Sequence, residues 1–292
     1  DKRGEMVTVR HLIPNPAHHV TAEAFREFSQ GINKVLARPT IEPETSQRLR
    51  AAIRHYRFGR DADSYKDKFL NWWMGLEFLT HVAHGETIGR TVIRHASDAL
   101  LQQYLQRLIG NLTRTLQRLK IDWSADLATA ADCPKLEDLQ ILGMVKVLQS
   151  QPHANALAQK VPDHPVAAFR ILRLAAALET PPKTADMLTA HHRHLVWQLG
   201  RLYRIRCCIV HGSPIQFKLP LLTANLEFYL KELVAICLWA FDQNPHVTSL
   251  RELFQRAAIA RQRTEADLTA PNASPDVVRD AVFSSVVIRE NS

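Results

Sequence analysis

From Thr21 to Arg263 the apolar residues recur at spacings of three and four in one long segment after another, which constrains this chain to a stack of amphipathic helices. The spacing predicts helices over Thr21–Ala37, Glu42–Tyr56, Tyr65–Ala83, Thr87–Lys120, Lys135–Gln149, Pro165–Glu179, Ala185–His211, Leu219–Phe241 and Ser249–Arg263. No sheet is expected. One β-branched cluster, within Val277–Ile288, reads as a strand or equally as a docked helix. Proline and small polar residues gather at 60–64, at 150–163 and after Leu268, where boundaries belong. The expected organisation is an all-α bundle over 64–268, an N-terminal helical connector over 1–60, and a C-terminal tail over 269–292.

The segment at the end of the predicted Ala185–His211 helix, Arg206-Cys207-Cys208-Ile209-Val210-His211-Gly212, is chemically odd for its position. Written as a helix, Leu195, Val196, Leu199, Leu202, Tyr203, Ile209 and Val210 share one apolar face, and Arg206 falls in the middle of it. A guanidinium there needs a carboxylate, a phosphate or a cavity, because an unpaired buried charge costs several kcal/mol. Glu77, Glu227 and Glu232 are the acids that can approach it. At roughly 100° per residue, positions five apart differ by about 140°, so an unbroken helix does not aim Arg206 and His211 at one point. Either the last turn deforms near Gly212, or the two groups meet across two copies of the chain.

The surroundings seek anions. Met187–Leu226 contains no Asp or Glu, while Arg193, Arg201, Arg204, Arg206 and Lys218 accumulate beside His191, His192, His194 and His211. Arg204 stands seven residues before His211, on the same helical face. Ala99–Ile121 is also free of acids, and Arg107, Arg114 and Arg118 line a stripe with Asn111, opposite Leu105, Leu108, Leu112 and Leu119. Such a stripe suits a nucleic-acid backbone, giving affinity without sequence preference. The net charge of +8 and a pI near 9.5 agree with a polyanionic partner.

Upstream, Phe69-Leu70-Asn71-Trp72-Trp73-Met74-Gly75-Leu76-Glu77-Phe78-Leu79 reads as another amphipathic helix with Phe69, Trp72, Trp73, Leu76 and Leu79 inward and Glu77 at the edge. This Trp-rich helix, followed by the later Leu-Tyr-Arg-Ile-Arg-x-x-Ile-Val-His-Gly, resembles the HEPN superfamily of helical ribonucleases, in particular its ApeA-like group. The resemblance covers about Tyr65 to Asp242. It implies a HEPN-like bundle that cuts RNA without metal or cofactor, with Arg206 and His211 as the motif pair and Cys207, Arg204 and Glu77 in support. His211 would act as general acid or base and Arg206 would bind the scissile phosphate; the RNA 2′-hydroxyl is the nucleophile, leaving a 2′,3′-cyclic phosphate and a 5′-hydroxyl. Arg201, Arg193, Lys218, Arg107, Arg114 and Arg118 would hold the RNA. The resemblance further implies a homodimer, a prokaryotic defence or toxin role with tRNA or other cellular RNA as target, and a sensor domain or regulatory partner reached through residues 1–60. Cys207 stands where the family commonly has Asn, Asp or His, and Ser213 where a nucleotidylated subgroup has tyrosine. A non-catalytic helical module of the same shape is the second reading.

Other chemistry is poorly supplied. Cys207 and Cys208 lack zinc-ligand spacing, and the offsets of His191, His192 and His194 diverge around a helix, so no metal is expected. A nucleophilic cysteine paired with His211 ranks below the nuclease reading. Four cysteines without a paired pattern, no signal sequence and no apolar run near the roughly 20 residues of a membrane span place the chain in a reducing cytoplasm. Its 292 residues, 46% of them hydrophobic, suffice for a large core.

Overall fold

The computed structural model describes residues 30, 32–81, 87–212 and 218–283, and among them the regular structure is entirely helical. The all-α expectation holds. Helices α1 (Pro43–Asp61) and α2 (Tyr65–Thr80) form a hairpin around residues 62–64. Pro43 starts α1 from its first turn, where no backbone donor is lost, and Ser64 caps α2 by accepting from the Asp67 N–H at 3.1 Å. The Trp72 indole donates to the Tyr56 carbonyl at 3.0 Å and lies so close to Gly59 that a Cβ there would sit 2.3 Å from the indole nitrogen. Phe69, Trp72, Trp73, Leu76 and Leu79 are all buried, as their spacing requires.

The chain continues through α3 (Ile88–Gln102), α4 (Tyr104–Leu119), α5 (Ala125–Ala131), a 3₁₀ turn at Leu136–Asp138, α6 (Ile141–Gln149), α7 (Gln151–Gln159) and α8 (Pro165–Leu178). Then come α9 (Pro181–Val210), α10 (Leu219–Gln243), α11 (Leu250–Thr269) and α12 (Asp276–Phe283). Helices α4 to α8 pack mainly among themselves, while α3 is gripped by α9 and α11, and α10 lies along α2. The expected apolar face of α10 buries Leu222, Leu226, Leu230, Leu233, Ile236 and Ala240. Leu230 nests against Gly75, where an added Cβ would meet its methyl at 2.8 Å, so α2 and α10 approach more closely than a larger residue permits. The placement of α2 against both α10 and α9 brings Glu77 to the end of α9.

Several expectations are corrected. Thr87–Lys120 is two helices, broken at Gln103 (φ −101°, ψ 2°). Gln102 is buried and donates to the Ala257 carbonyl at 3.3 Å, whereas Tyr104 stacks on His191, so the two halves are re-aimed at different neighbours. The expected boundary at 150–163 contains α7, with Ala154 and Leu157 buried. Helix α5 lies in a stretch with no expected helix, and Lys135–Gln149 becomes a 3₁₀ turn followed by α6. Residues 43–60 are no free connector, because Leu49 and Ala52 belong to the common core. Residues 276–283 are no loose tail: Val278, Ala281 and Val282 are buried, and the Val277–Ile288 cluster is helical as far as Phe283, its remainder lying outside the described residues. Most of the expected Thr21–Ala37 helix also lies outside them; residues 32–36 are helical. No helix of the described residues is long and apolar enough to cross a membrane.

Candidate functional site at the end of α9

Helix α9 runs unbroken to Val210. The His211 N–H still donates to the Cys207 carbonyl at 3.0 Å, and the chain then turns off at Gly212, whose φ of +68° is a left-handed conformation that suits glycine. The last turn therefore does not deform in a way that joins the motif pair. Leu195, Leu199, Leu202, Arg206 and Ile209 form the inward row, and the first three are at most 4% exposed. Trp197, Arg201, Arg204, Cys208 and His211 form a different row, in which Trp197 is 54% exposed and Arg204 and His211 are open to solvent. Within one chain Arg206 and His211 face different ways. Two details of the expected apolar face are corrected: Val196 and Val210 are exposed, and Ile205 is buried.

Arg206 meets its charge requirement through Glu77. Its Nη2 stands 3.6 Å from Glu77 Oε1, an ion-pair separation longer than a hydrogen bond, and the two side chains are 27% and 19% exposed. The same Oε1 accepts the Trp73 indole N–H at 2.5 Å, so the carboxylate is fixed by its own helix before the arginine reaches it. Glu227 and Glu232 are engaged elsewhere: Glu227 accepts from the Tyr56 hydroxyl at 3.1 Å and Glu232 pairs with Arg107 at 3.2 Å. Tyr203 lies 5.8 Å from the Trp73 ring and over Gly89, where a Cβ would approach its ring to 2.7 Å. The negative charge of a Cys207 thiolate raises the Tyr203 pKa, burial raises it further, and Arg206 opposes both. A thiol at position 207 is a weak donor for the orienting role an amide or imidazole would play.

The basic residues divide. Arg193, Arg204 and Lys218 are exposed, and Arg201 lies over the Trp197 ring at 5.7 Å. Arg114 and Arg118 are exposed on α4, Arg114 donating to Asn111 Oδ1 at 2.7 Å. Arg107 leaves that open stripe. It is half-buried against Glu232 and over the Phe228 ring at 5.1 Å; burial lowers its pKa while Glu232 holds it charged. Arg107, Asn111, Arg114, Gln140 and the half-exposed Phe228 share a cleft of about 870 Å³ between α4, α6 and α10.

The histidine run on α9 is not a single anion-seeking unit. His191 stacks on Tyr104, and burial first, then His194 and Arg107, push its pKa down to about 4. His192 Nε2 contacts Asp98 Oδ1 at 3.0 Å, and Arg261 Nε approaches the same oxygen at 2.8 Å, off the N–H axis and so as a charge contact rather than a linear hydrogen bond. Asp98 and Arg261 were not singled out from the sequence, yet Thr91, His95, Asp98 and Gln102 recur at helical spacing and are all buried, a polar row that the pattern of α3 contains. Among the described residues no three His, Cys, Asp or Glu side chains converge as a metal-ligand group. Cys237 is enclosed, and burial pushes its thiol up to about 12. No protein-family model matches the chain, and neither a curated protein nor a solved structure matches it significantly.

Proposed function

We propose that this protein is a metal-independent endoribonuclease whose site is shared between two copies, Arg206 of one facing His211 of the other. The observation that carries the reading is the division of the motif pair between two faces of an unbroken helix end, with His211 on an exposed row that also bears Trp197, Arg201 and Arg204. In this reading the two-fold axis lies between the exposed row and the edge at which Arg206, 27% exposed, reaches the surface, so that His211 of one copy stands beside Arg206 of its partner. There His211 moves the 2′-hydroxyl or leaving-group proton, Arg206 takes the charge that develops on the phosphate, and Glu77 holds the guanidinium in place. Exposed Arg193, Arg204 and Lys218, with the cleft at Arg114 and Phe228, are suited to RNA phosphates and an unstacked base. A defence role on tRNA or other cellular RNA, under a sensor domain or regulatory partner, extends the same proposal.

The test is RNA cleavage in EDTA by wild type, Arg206→Ala, His211→Ala and an equimolar, re-equilibrated mixture of the two variants. Each variant alone is expected to be inactive. Half of the mixed dimers are hybrids and each hybrid keeps one intact site, so the mixture should recover about a quarter of wild-type activity. A mixture as inactive as its components, beside an active wild type, refutes the shared site. A second reading, a non-catalytic helical module binding RNA, a nucleotide or a protein, is favoured by the Glu77 carboxylate on Arg206 and by the thiol at position 207. RNA binding by a wild type that does not cleave would decide for it.

A further inference from the structure

An aromatic strip starts on α2 beside Arg206 and ends on α1. Next to Glu77, the carboxylate that faces Arg206, Met74 and Phe78 stand four apart as the outer row of α2; Met74 is 41% exposed and Phe78 half-buried. The Phe78 ring stacks on His55 of α1 at 5.3 Å, and the His55 ring lies perpendicular to that of Phe58, 49% exposed, at 5.9 Å. His55 is fixed in its orientation. The Asn71 amide donates to the Asp67 carbonyl at 2.9 Å, which turns Asn71 Oδ1 toward His55 Nδ1 at 3.2 Å. Nδ1 therefore carries the proton of the neutral ring, and Nε2, with no hydrogen bond among the described residues, is left as an acceptor.

The cations beside this strip exceed their acids. Helix α1 carries five arginines against Glu44 and Asp61. Arg48 is occupied by Glu44 and the carbonyls of Phe78 and His81, while Arg57 and Arg60 share Asp61 at 3.6 and 3.5 Å. Arg50 makes one long contact, 3.4 Å to the Leu36 carbonyl, and Arg54 has neither hydrogen bond nor ion pair among the described residues. Both are exposed, and both line a groove of about 720 Å³ whose α2 wall is Phe78.

We propose that this strip binds single-stranded nucleic acid and, resting on the ribonuclease reading, that it carries the RNA strand to one side of the phosphate at Arg206. Unstacked bases pack on Phe58 and along the row of Met74 and Phe78, and His55 Nε2 accepts from a base amine or a 2′-hydroxyl. Arg50 and Arg54, one helical turn and about 6 Å apart, take neighbouring phosphates of the extended strand. A duplex would offer only its phosphates and leave Phe58 and Met74 in water. The aromatic half of the strip therefore selects single strands.

Fluorescence anisotropy in EDTA at about 0.15 M salt tests this on the full chain with a labelled 2′-O-methyl oligonucleotide of about twelve nucleotides, which lacks the nucleophile and is not cut. The single strand should bind more tightly than its duplex and than polyphosphate. Phe58→Ala should weaken the single strand about tenfold and leave polyphosphate unchanged, and Phe58→Trp should restore the affinity. Arg50→Ala/Arg54→Ala should weaken both ligands and lower the slope of log affinity against log salt by about 1.4, roughly 0.7 per phosphate contact. Circular dichroism and the urea midpoint report whether each variant keeps its fold. Wild-type affinity in both Phe58→Ala and the arginine pair, or a duplex bound as tightly as the single strand, overturns the proposal. Self-association that Phe58→Ala abolishes without changing oligonucleotide affinity assigns the strip to a second copy and overturns it too. Because the probe cannot be cut, a wild type that binds in this way but cleaves no RNA sinks the ribonuclease reading and leaves the strip as a binding site. Cleavage with unchanged KM in Phe58→Ala and in the arginine pair sinks the strip and leaves the site at Arg206.

Discussion

Replacing Asp98 tests whether the contact among α3, α9 and α11 is a structural keystone. Its side chain is 5% exposed and faces His192 at 3.0 Å and Arg261 at 2.8 Å, each of which is itself only about a quarter exposed. A hydrogen bond involving a charged group contributes roughly 1.5–3 kcal/mol, and removing one partner of a buried pair costs roughly 3–5 kcal/mol. The loss is smaller here because Arg261 keeps Glu265 at 3.1 Å and some solvent, so Asp98→Ala should cost about 3 kcal/mol. Asp98→Asn retains an acceptor and should cost about 2 kcal/mol. For a chain of this size 3 kcal/mol lowers Tm by about 6–12 °C. Urea denaturation of Asp98→Leu, of Arg261→Leu and of the Asp98→Leu/Arg261→Leu pair measures the coupling, which should exceed about 1.5 kcal/mol because replacing both charges leaves neither stranded. Additive losses, or an Asp98→Ala variant within about 0.5 kcal/mol of wild type, would refute the keystone argument.

Gly59→Ala should destabilise by about 2 kcal/mol in urea, although alanine is favoured by about 1 kcal/mol in a helix interior, because the new Cβ would stand 2.3 Å from the Trp72 indole. His191 has its folded pKa depressed from 6.5 to about 4, so the unfolded chain binds the extra proton between those values. Stability should therefore fall as pH drops from about 6.5 to about 4, and His191→Phe should flatten that part of the urea-midpoint profile. Glu77→Gln keeps an acceptor for the Trp73 indole but removes the charge beside Arg206; the loss in urea should be under about 1 kcal/mol, as for partly exposed pairs, while affinity for a single-stranded RNA rises and its salt dependence steepens. A fall in RNA affinity would count against Arg206 as a phosphate ligand.

The helical class was legible because apolar spacing reports which residues must leave water, and nearly every long segment carried one such stripe. Starts were legible where a single residue settles them, as with Ser64, Pro165 and Ser249. The break at Gln103 was not, because neither Gly nor Pro marks it; Gln102 and Tyr104 are drawn to partners on α11 and α9 more than 85 residues away in sequence. Helix α7 was hidden for the opposite reason. Ser150 and Pro152 read as a linker, yet proline at the start of a helix removes no hydrogen bond and opens α7.

The same distinction governs the site. That Arg206 needs a counter-charge follows from its row on α9 alone, but which acid supplies it depends on how three helices pack, and Glu77, Glu227 and Glu232 were equally eligible until α2 was placed against α9. The direction of His211 was legible, since an unbroken helix carries it onto the row of Trp197 and Arg204, away from Leu199 and Leu202. Asp98 was passed over because a single acid between acid-free stretches looks like a surface residue. The missed signal was its row, with Thr91 and His95 seven and three residues before it and Gln102 four after: polar side chains that recur at the period of a buried face must find partners inside the protein. Both charged centres of this fold thus obey one rule. A polar residue on an inward row brings a partner with it: Arg206 has taken Glu77, and Asp98 has taken His192 and Arg261.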